Sequence, residues 1–215
     1  MLPASVSDSP DAASDQAASA APVRKRPKPG ERRVQILQTL AQMLEQPGAE
    51  RVTTAALAAR LGVSEAALYR HFASKAQMFE GLIDFIEGTV FGLIHQIGER
   101  EPQGRARAAR IVTMVLQFGE KNPGMARVMV GDALVFEHER LQQRMNQLFD
   151  KLEAALRQCL REAAPAADTL TPDAEAQLTA SVLAAFVAGR LQRFARSGFR
   201  RAPTEQLDAC LARML

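Results

Sequence analysis

The sequence predicts an all-α protein of about nine helices, on three observations. Apolar residues recur three and four apart through most of the chain after residue 31. Aromatic residues make up only 5% of it, with no Trp and one Tyr, so the residues that pleated sheets favour are scarce. No alternating run bounded by a hairpin turn competes anywhere. Abundant Ala, Leu, Arg, Gln and Glu favour helix.

The first helix begins at Arg32 on the period Val34, Leu37, Leu40, Ala41, Leu44, and Pro47-Gly48 stops it. A short helix over 54–60 has Thr53 as N-cap, and Gly62 ends it. Ser64 caps a third helix that reaches Arg70. Ser74 opens a fourth, with Ser74-Lys-Ala-Gln77 fitting a capping box, and this helix continues to Ile97. Gly88 and Gly92 inside it mark either a kink or a close helix contact. Further helices are expected over 104–119, 123–130, 132–163, 173–197 and 204–214, punctuated by prolines. Leu141, Met145, Leu148, Leu152, Leu156 and Leu160 form one apolar stripe.

Residues 1–23 contain seven Ala, five Ser, three Pro and three Asp, a composition expected to stay disordered. Arg24, Lys25, Arg26 and Lys28 follow as a basic arm, which serves either as a solvated linker or as a phosphate contact. The net charge of the chain is only +3. Its distribution is uneven: residues 24–80 carry ten cations and five anions, whereas 81–215 carry 17 and 16. The positive field therefore sits at the N-terminal end of the fold.

Several classes fall away. Cys159 and Cys210 stand far apart and outside any C-x-x-C or Cys/His cluster, so neither a disulfide framework nor a metal site is expected. Both read as small apolar residues in a reducing cytosol. The apolar stretch Val182–Gly189 is too short to span a bilayer, and the N-terminus does not read as a signal peptide, so a cytoplasmic address without membrane contact is expected. His71, His95 and His138 are scattered and no nucleophile, phosphate-loop or zincin motif is present, so no catalysis and no cofactor are expected.

Residues 54–72, TAALAARLGVSEAALYRHF, have the parts of a helix-turn-helix. Ala58 is small where two helices must cross, Gly62 tolerates positive φ in the turn, and Leu57, Leu61, Val63 and Leu68 can lock the pair. The second helix then exposes Ser64, Glu65, Ala66, Ala67, Tyr69 and Arg70 toward a major groove. A plain helical hairpin has the same core. The neighbourhood favours DNA: the basic arm precedes the segment, and Thr53, Thr54, Tyr69, His71 and Lys75 are suitable phosphate donors. His71 is alternatively a packed helix-end imidazole, and Arg70 a solvated charge.

Thr53-Thr-Ala-x-Leu-Ala, Leu61-Gly-Val-Ser, Leu68-Tyr-Arg-His-Phe and Ser74-Lys75 resemble the DNA-binding domain of TetR-type regulators. GVSEAALYRHFASKAQMFEGLIDFIE (62–87), FGEKNPG (118–124), ALVFEHERLQQRMNQLF (133–149) and LRQCLRE (156–162) resemble, within that family, its nucleoid-occlusion group. The likeness covers 31–215, and the long tail 1–23 departs from it. It implies a TetR-like fold with a DNA-binding domain at 31–78, after a tail and arm at 1–30, and a helical dimerisation and partner-binding domain at 79–215. It implies a nucleoid-associated homodimer on palindromic double-stranded DNA. When so bound, the dimer engages the C-terminal tail of the division GTPase FtsZ, antagonises its polymers and blocks septation over DNA, with no small-molecule ligand.

The same resemblance carries over Thr53, Ser64, Ala66, Tyr69, His71 and Lys75 as DNA contacts. Thr53, Tyr69, His71 and Lys75 are expected at phosphates, joined on their own chemistry by Thr54 and Arg70, with Ser64, Glu65, Ala66 and Ala67 at base edges. Ser181, Ala185 and Gly189, at steps of four with Ala180, Ala184 and Ala188 alongside, fit either an ordinary buried Ala-rich helix or a close helix contact. Because TetR-like dimers pair their last two long helices, the resemblance implies the dimer seam. Phe85, Leu93, Met114 and Gln117 are expected to line a groove between two helices, with Lys121 and Asn122 at its end. From spacing alone, Phe85, Leu93 and Met114 equally fit the core. The alternative function is a ligand-responsive TetR-type repressor, which needs a cavity with convergent polar groups in the 100–200 region.

Overall fold

The computed structural model describes residues 30–46, 51–163 and 171–215. Residues 1–29, most of the expected tail and arm, lie outside them, as does the Pro47-Gly48 stop. Among the described residues the chain is all-helical: α1 (Glu31–Leu44), α2 (Thr54–Leu61), α3 (Glu65–Tyr69), α4 (Lys75–Arg100), α5 (Gly104–Lys121), α6 (Pro123–Met129), a 3-10 turn (Asp132–Leu134), α7 (Glu139–Ala163), α8 (Pro172–Arg196) and α9 (Leu207–Met214). No described helix is long and apolar enough to cross a membrane.

The helix starts follow the caps. Thr53 Oγ1 accepts from Ala56 N at 3.2 Å, Ser64 Oγ from Ala67 N at 3.3 Å and Ser74 Oγ from Gln77 N at 3.2 Å. The reciprocal half of the last box lands one residue early: Gln77 Oε1 accepts from Ala73 N at 2.9 Å. Gly62 ends α2 at φ 66°, and Val63 N and Gly62 N donate to Ala58 O and Ala59 O, closing a Schellman turn that only a residue at ease in αL makes cheaply.

Three expectations need correction. Val34 is 54% exposed, and the buried face of α1 is Ile36, Leu40, Ala41 and Leu44. The helix expected over 132–163 begins at Glu139. Its predicted first turns are instead the 3-10 turn and an irregular stretch, because Leu134 O takes Glu137 N and His138 Nδ1 takes Arg140 N at the new helix start. The last helix begins at 207 rather than 204, after Gln206 at φ 52°. At Gly88 and Gly92 an added Cβ would meet nothing within 4 Å, so neither is a close helix contact, and α4 continues through both.

One buried cluster runs from Ile36 through Leu211 and joins both expected domains. The stripe Leu141, Met145, Leu148, Leu152, Leu156 and Leu160 is buried and supports α7 against α8 and α5. Cys159 is a buried free thiol whose pKa burial pushes up. Cys210 is half-buried and takes a hydrogen bond from Arg190 Nη2 at 3.1 Å, so it is more than an apolar filler.

The helix-turn-helix is fastened to the body where α6 begins on the side of α1. A Cβ at Gly124 would stand 2.1 Å from the Ala41 carbonyl oxygen, so no side chain fits between the two backbones. Arg127, one turn further on, donates to Leu44 O at 3.2 Å and pairs with Asp132 at 2.6 Å. Gly124→Ala should therefore destabilise the protein by about 1–3 kcal/mol, the range for forced overpacking. A urea unfolding curve with a lowered midpoint and unchanged slope checks this.

Candidate nucleic-acid interface

The α2–α3 pair separates into an inner and an outer face. Leu57, Ala58, Leu61, Leu68 and Phe72 are buried, and Val63 is half-buried. Thr53, Ser64, Glu65, Ala66, Tyr69 and Arg70 are exposed, and Thr54, Ala67, His71 and Lys75 are half-buried. Tyr69 is 46% exposed although it is aromatic, and leaving that apolar area in water has a cost that a partner surface would remove. The Ser64 and Thr53 oxygens accept the capping bonds, which leaves each hydroxyl proton for an outside acceptor.

Thr54 Oγ1 donates to Glu65 Oε2 at 2.6 Å, linking the first turns of α2 and α3. Glu65, expected at a base edge, thus spends one carboxylate oxygen inside the protein. The His71 imidazole is half-buried, and its backbone carbonyl accepts from Arg33 Nη1. The Arg33 guanidinium also stacks 4.1 Å above the Phe72 ring, so α1 braces the far end of α3. Arg33 was not among the expected site residues. Lys75 is not a free donor, because its ammonium pairs with Glu137. No signal in the sequence links those two positions, which lie 62 residues apart.

The other expected surfaces resolve as follows. Ser181, Ala185 and Gly189 lie exposed on α8 beside Leu178 and Val182, while Ala180 and Ala184 are buried and Ala188 half-buried. The two parallel small-residue rows are thus an outer face and an inner face, with open space over Gly189. Phe85 is 52% exposed on α4, so it is not core. Leu93 and Met114 are half-buried, and Met114 packs against the core. Met114 and the exposed Gln117 line an open groove of about 470 Å³ whose opposite wall is Asp208 and Leu211 of α9. Lys121 is exposed at the end of α5, and Asn122 is half-buried, its Nδ2 donating to Phe118 O at 2.7 Å.

Two family models match this chain. One, described as bacterial regulatory proteins, tetR family, covers residues 36–82. The other, SlmA-like and described as tetracyclin repressor-like, C-terminal domain, covers 103–214. The nucleoid occlusion factor SlmA of Cronobacter sakazakii is 52% identical over 179 residues, 83% of this chain and 90% of that protein. That of Photobacterium profundum is 51% identical over 178 residues, 82% and 90%. Among solved structures, the Bacillus subtilis regulator FadR in complex with stearoyl-CoA superposes with a TM-score of 0.64 at 14% identity, covering 84% of this chain and 96% of that one. A TetR-family regulator from Bordetella parapertussis gives 0.63 at 17% identity, covering 86% and 95%. At these identities the superpositions speak for the fold alone.

If the exposed face touches phosphates, Tyr69→Ala and Arg70→Ala should each weaken duplex binding about tenfold. The dependence of log affinity on log salt should flatten by about 0.9 only for Arg70→Ala, which alone removes a cation. Fluorescence anisotropy with a labelled duplex across a salt series measures both, and unchanged thermal unfolding shows that the exposed substitutions leave the fold intact.

Proposed function

The chain belongs to the tetR family of bacterial regulatory proteins, in its SlmA-like branch, and from that premise we propose that it is a nucleoid occlusion factor acting as a dimer on palindromic chromosomal sites. The family is one of DNA-binding regulators and not of enzymes. The observation that carries the proposal is that the likeness extends through the C-terminal domain, 103–214, as well as the helix-turn-helix.

In this reading α3 enters the major groove. Thr53, Tyr69 and Arg70 fix the backbone register, and Ser64, Ala66 and Ala67 meet base edges. The outward row Ser181, Ala185 and Gly189 lets two copies of α8 approach closely, with Leu178 and Val182 supplying apolar area. A two-fold dimer places its recognition helices on half-sites about 34–36 Å apart.

The DNA-bound dimer then takes the FtsZ C-terminal tail through the exposed Phe85 of α4 and, on α5, through Met114 and Gln117, which line the groove against α9 without Phe85 or Leu93, with Lys121 as a basic rim for an acidic peptide. Asn122 shapes the rim by closing α5 through its bond to Phe118 O. Tail binding next to DNA would concentrate FtsZ antagonism over the chromosome.

Crosslinking the protein to its own chromosome and sequencing the bound DNA tests the whole reading. Many dispersed palindromes, sparse around the replication terminus, are the expected result. One or two sites beside a neighbouring gene would instead identify a local repressor with a small-molecule inducer. For the partner surface, Lys121→Glu should leave DNA affinity unchanged and weaken a labelled FtsZ tail peptide about tenfold or more. Equal peptide affinity in that variant would place the tail elsewhere.

A further inference from the structure

Beside the continuous buried core, two polar or close backbone contacts connect the helix-turn-helix to the body, and they differ in kind. The first is the backbone contact of Gly124 with Ala41, reinforced by Arg127, and it has no room to move. The second is a single ion pair between Lys75 Nζ and Glu137 Oε1. Lys75 opens α4 six residues after Tyr69, whereas Glu137 lies in the stretch between the 3-10 turn and α7. The pair is largely shielded, with side-chain exposures of 21% for Lys75 and 9% for Glu137, and the ammonium also stands 5.6 Å from the centroid of the Phe79 ring.

The stretch that carries Glu137 is weakly held. Val135 and Phe136, just before it, are 63% and 65% exposed and contribute little to the core. Its anchors are the buried Leu134, the bond from Glu137 N to Leu134 O at 3.0 Å and, at its end, the bonds that His138 takes from Arg140 N at 3.3 Å and Leu141 N at 2.9 Å. Swinging the carboxylate away would therefore uncover little apolar surface.

We propose that the Lys75–Glu137 pair is an autoinhibitory latch: the body carboxylate and a DNA phosphate compete for the same ammonium, so DNA affinity is held below what the helix-turn-helix alone would reach. The proposal rests on the DNA-binding reading above and adds Lys75 to it as a phosphate ligand once the pair opens. A lysine neutralised by Glu137 releases no counterion to DNA until the pair opens, and opening it subtracts from the gain of the phosphate contact. Linkage makes the coupling reciprocal: whatever displaces residues 135–138 tightens DNA binding by the factor with which DNA loosens those residues.

A double-mutant cycle on the full chain tests the latch, using Glu137→Gln, Lys75→Gln and the double variant with a labelled 30-base-pair duplex of random sequence over a salt series. Glu137→Gln should tighten binding about two- to fivefold at low salt, a modest gain because the introduced amide oxygen still accepts a hydrogen bond from Lys75. The gain should vanish in the Lys75→Gln background. Should Glu137→Gln melt early, Glu137→Asp, which shortens the reach and keeps the charge, should give the same Lys75-dependent gain in smaller measure. Unchanged or weaker binding by these variants, or a gain that persists without Lys75, overturns the latch. Tyr69→Ala serves as the control on the reading beneath it. If that substitution has no effect on the wild-type chain, the DNA interface itself is wrong. If it weakens binding while the cycle shows no coupling, the latch alone is wrong.

Discussion

The start of α6 on the flank of α1 is the constraint on which the rest depends. Gly124 brings the α6 backbone against the Ala41 carbonyl, and Arg127 then reaches the last carbonyl of α1 at Leu44. Because α1 is fixed to the body in this way, everything α1 touches is fixed as well. Arg33, on the same helix, braces α3 through the His71 carbonyl and the Phe72 ring. The orientation of the recognition surface is thus set by a chain of contacts that begins in the body. A three-residue turn and a five-residue helix have too little core of their own to hold that orientation alone.

A second consequence is that the expected domain boundary at 78/79 is not a boundary of packing. The buried cluster continues from α1 through α4 into α5, α7 and α8. On its outer side α4 is further bound to α7 by Arg140–Glu80 at 2.7 Å, Arg144–Asp84 at 2.8 Å and Lys151–Glu87 at 3.1 Å. Exposed pairs of this kind contribute little stability singly, but a ladder of them fixes the register between two long helices. The Lys75–Glu137 pair adds a further link, between the start of α4 and the stretch that leads into α7.

What was legible in the sequence is what local chemistry determines. Thr53, Ser64 and Ser74 announce helix starts because a hydroxyl must reach an amide three residues on, and Gly62 announces the turn because αL favours glycine. The leucine stripe of α7 is periodic enough to be read directly. The misread parts are those decided by distant contacts. The residues after Gly131 look helical by pattern, yet Leu134 is buried while Val135 and Phe136 are not, and His138 is a better N-cap than a helix interior residue. Val34 fits the period of α1 and shares the side of Ala41 and Leu37, but it sits in the first turn of the helix, where it stays 54% exposed. The wall that α9 adds beside Met114 and Gln117, and the pairing of Lys75 with Glu137, join residues too far apart for any spacing rule to connect.

The recognition surface also bears on how selective such a protein needs to be. Residues 64–67 read Ser-Glu-Ala-Ala, without an Arg, Asn or Gln to make the bidentate base contacts that discriminate most strongly. Glu65 accepts from Thr54 and so has one oxygen fewer for cytosine. In the proposed reading, what remains, a serine hydroxyl and alanine methyls, would support modest preference at each base pair. A dimer would compensate by adding two half-sites at fixed spacing and by the backbone contacts that hold the register. Selectivity of that construction tolerates degenerate sequences as long as the spacing is kept. A single-operator repressor gains nothing from such tolerance. A protein that must mark a whole chromosome requires it, and this favours nucleoid occlusion over local repression as the use to which the helix-turn-helix is put.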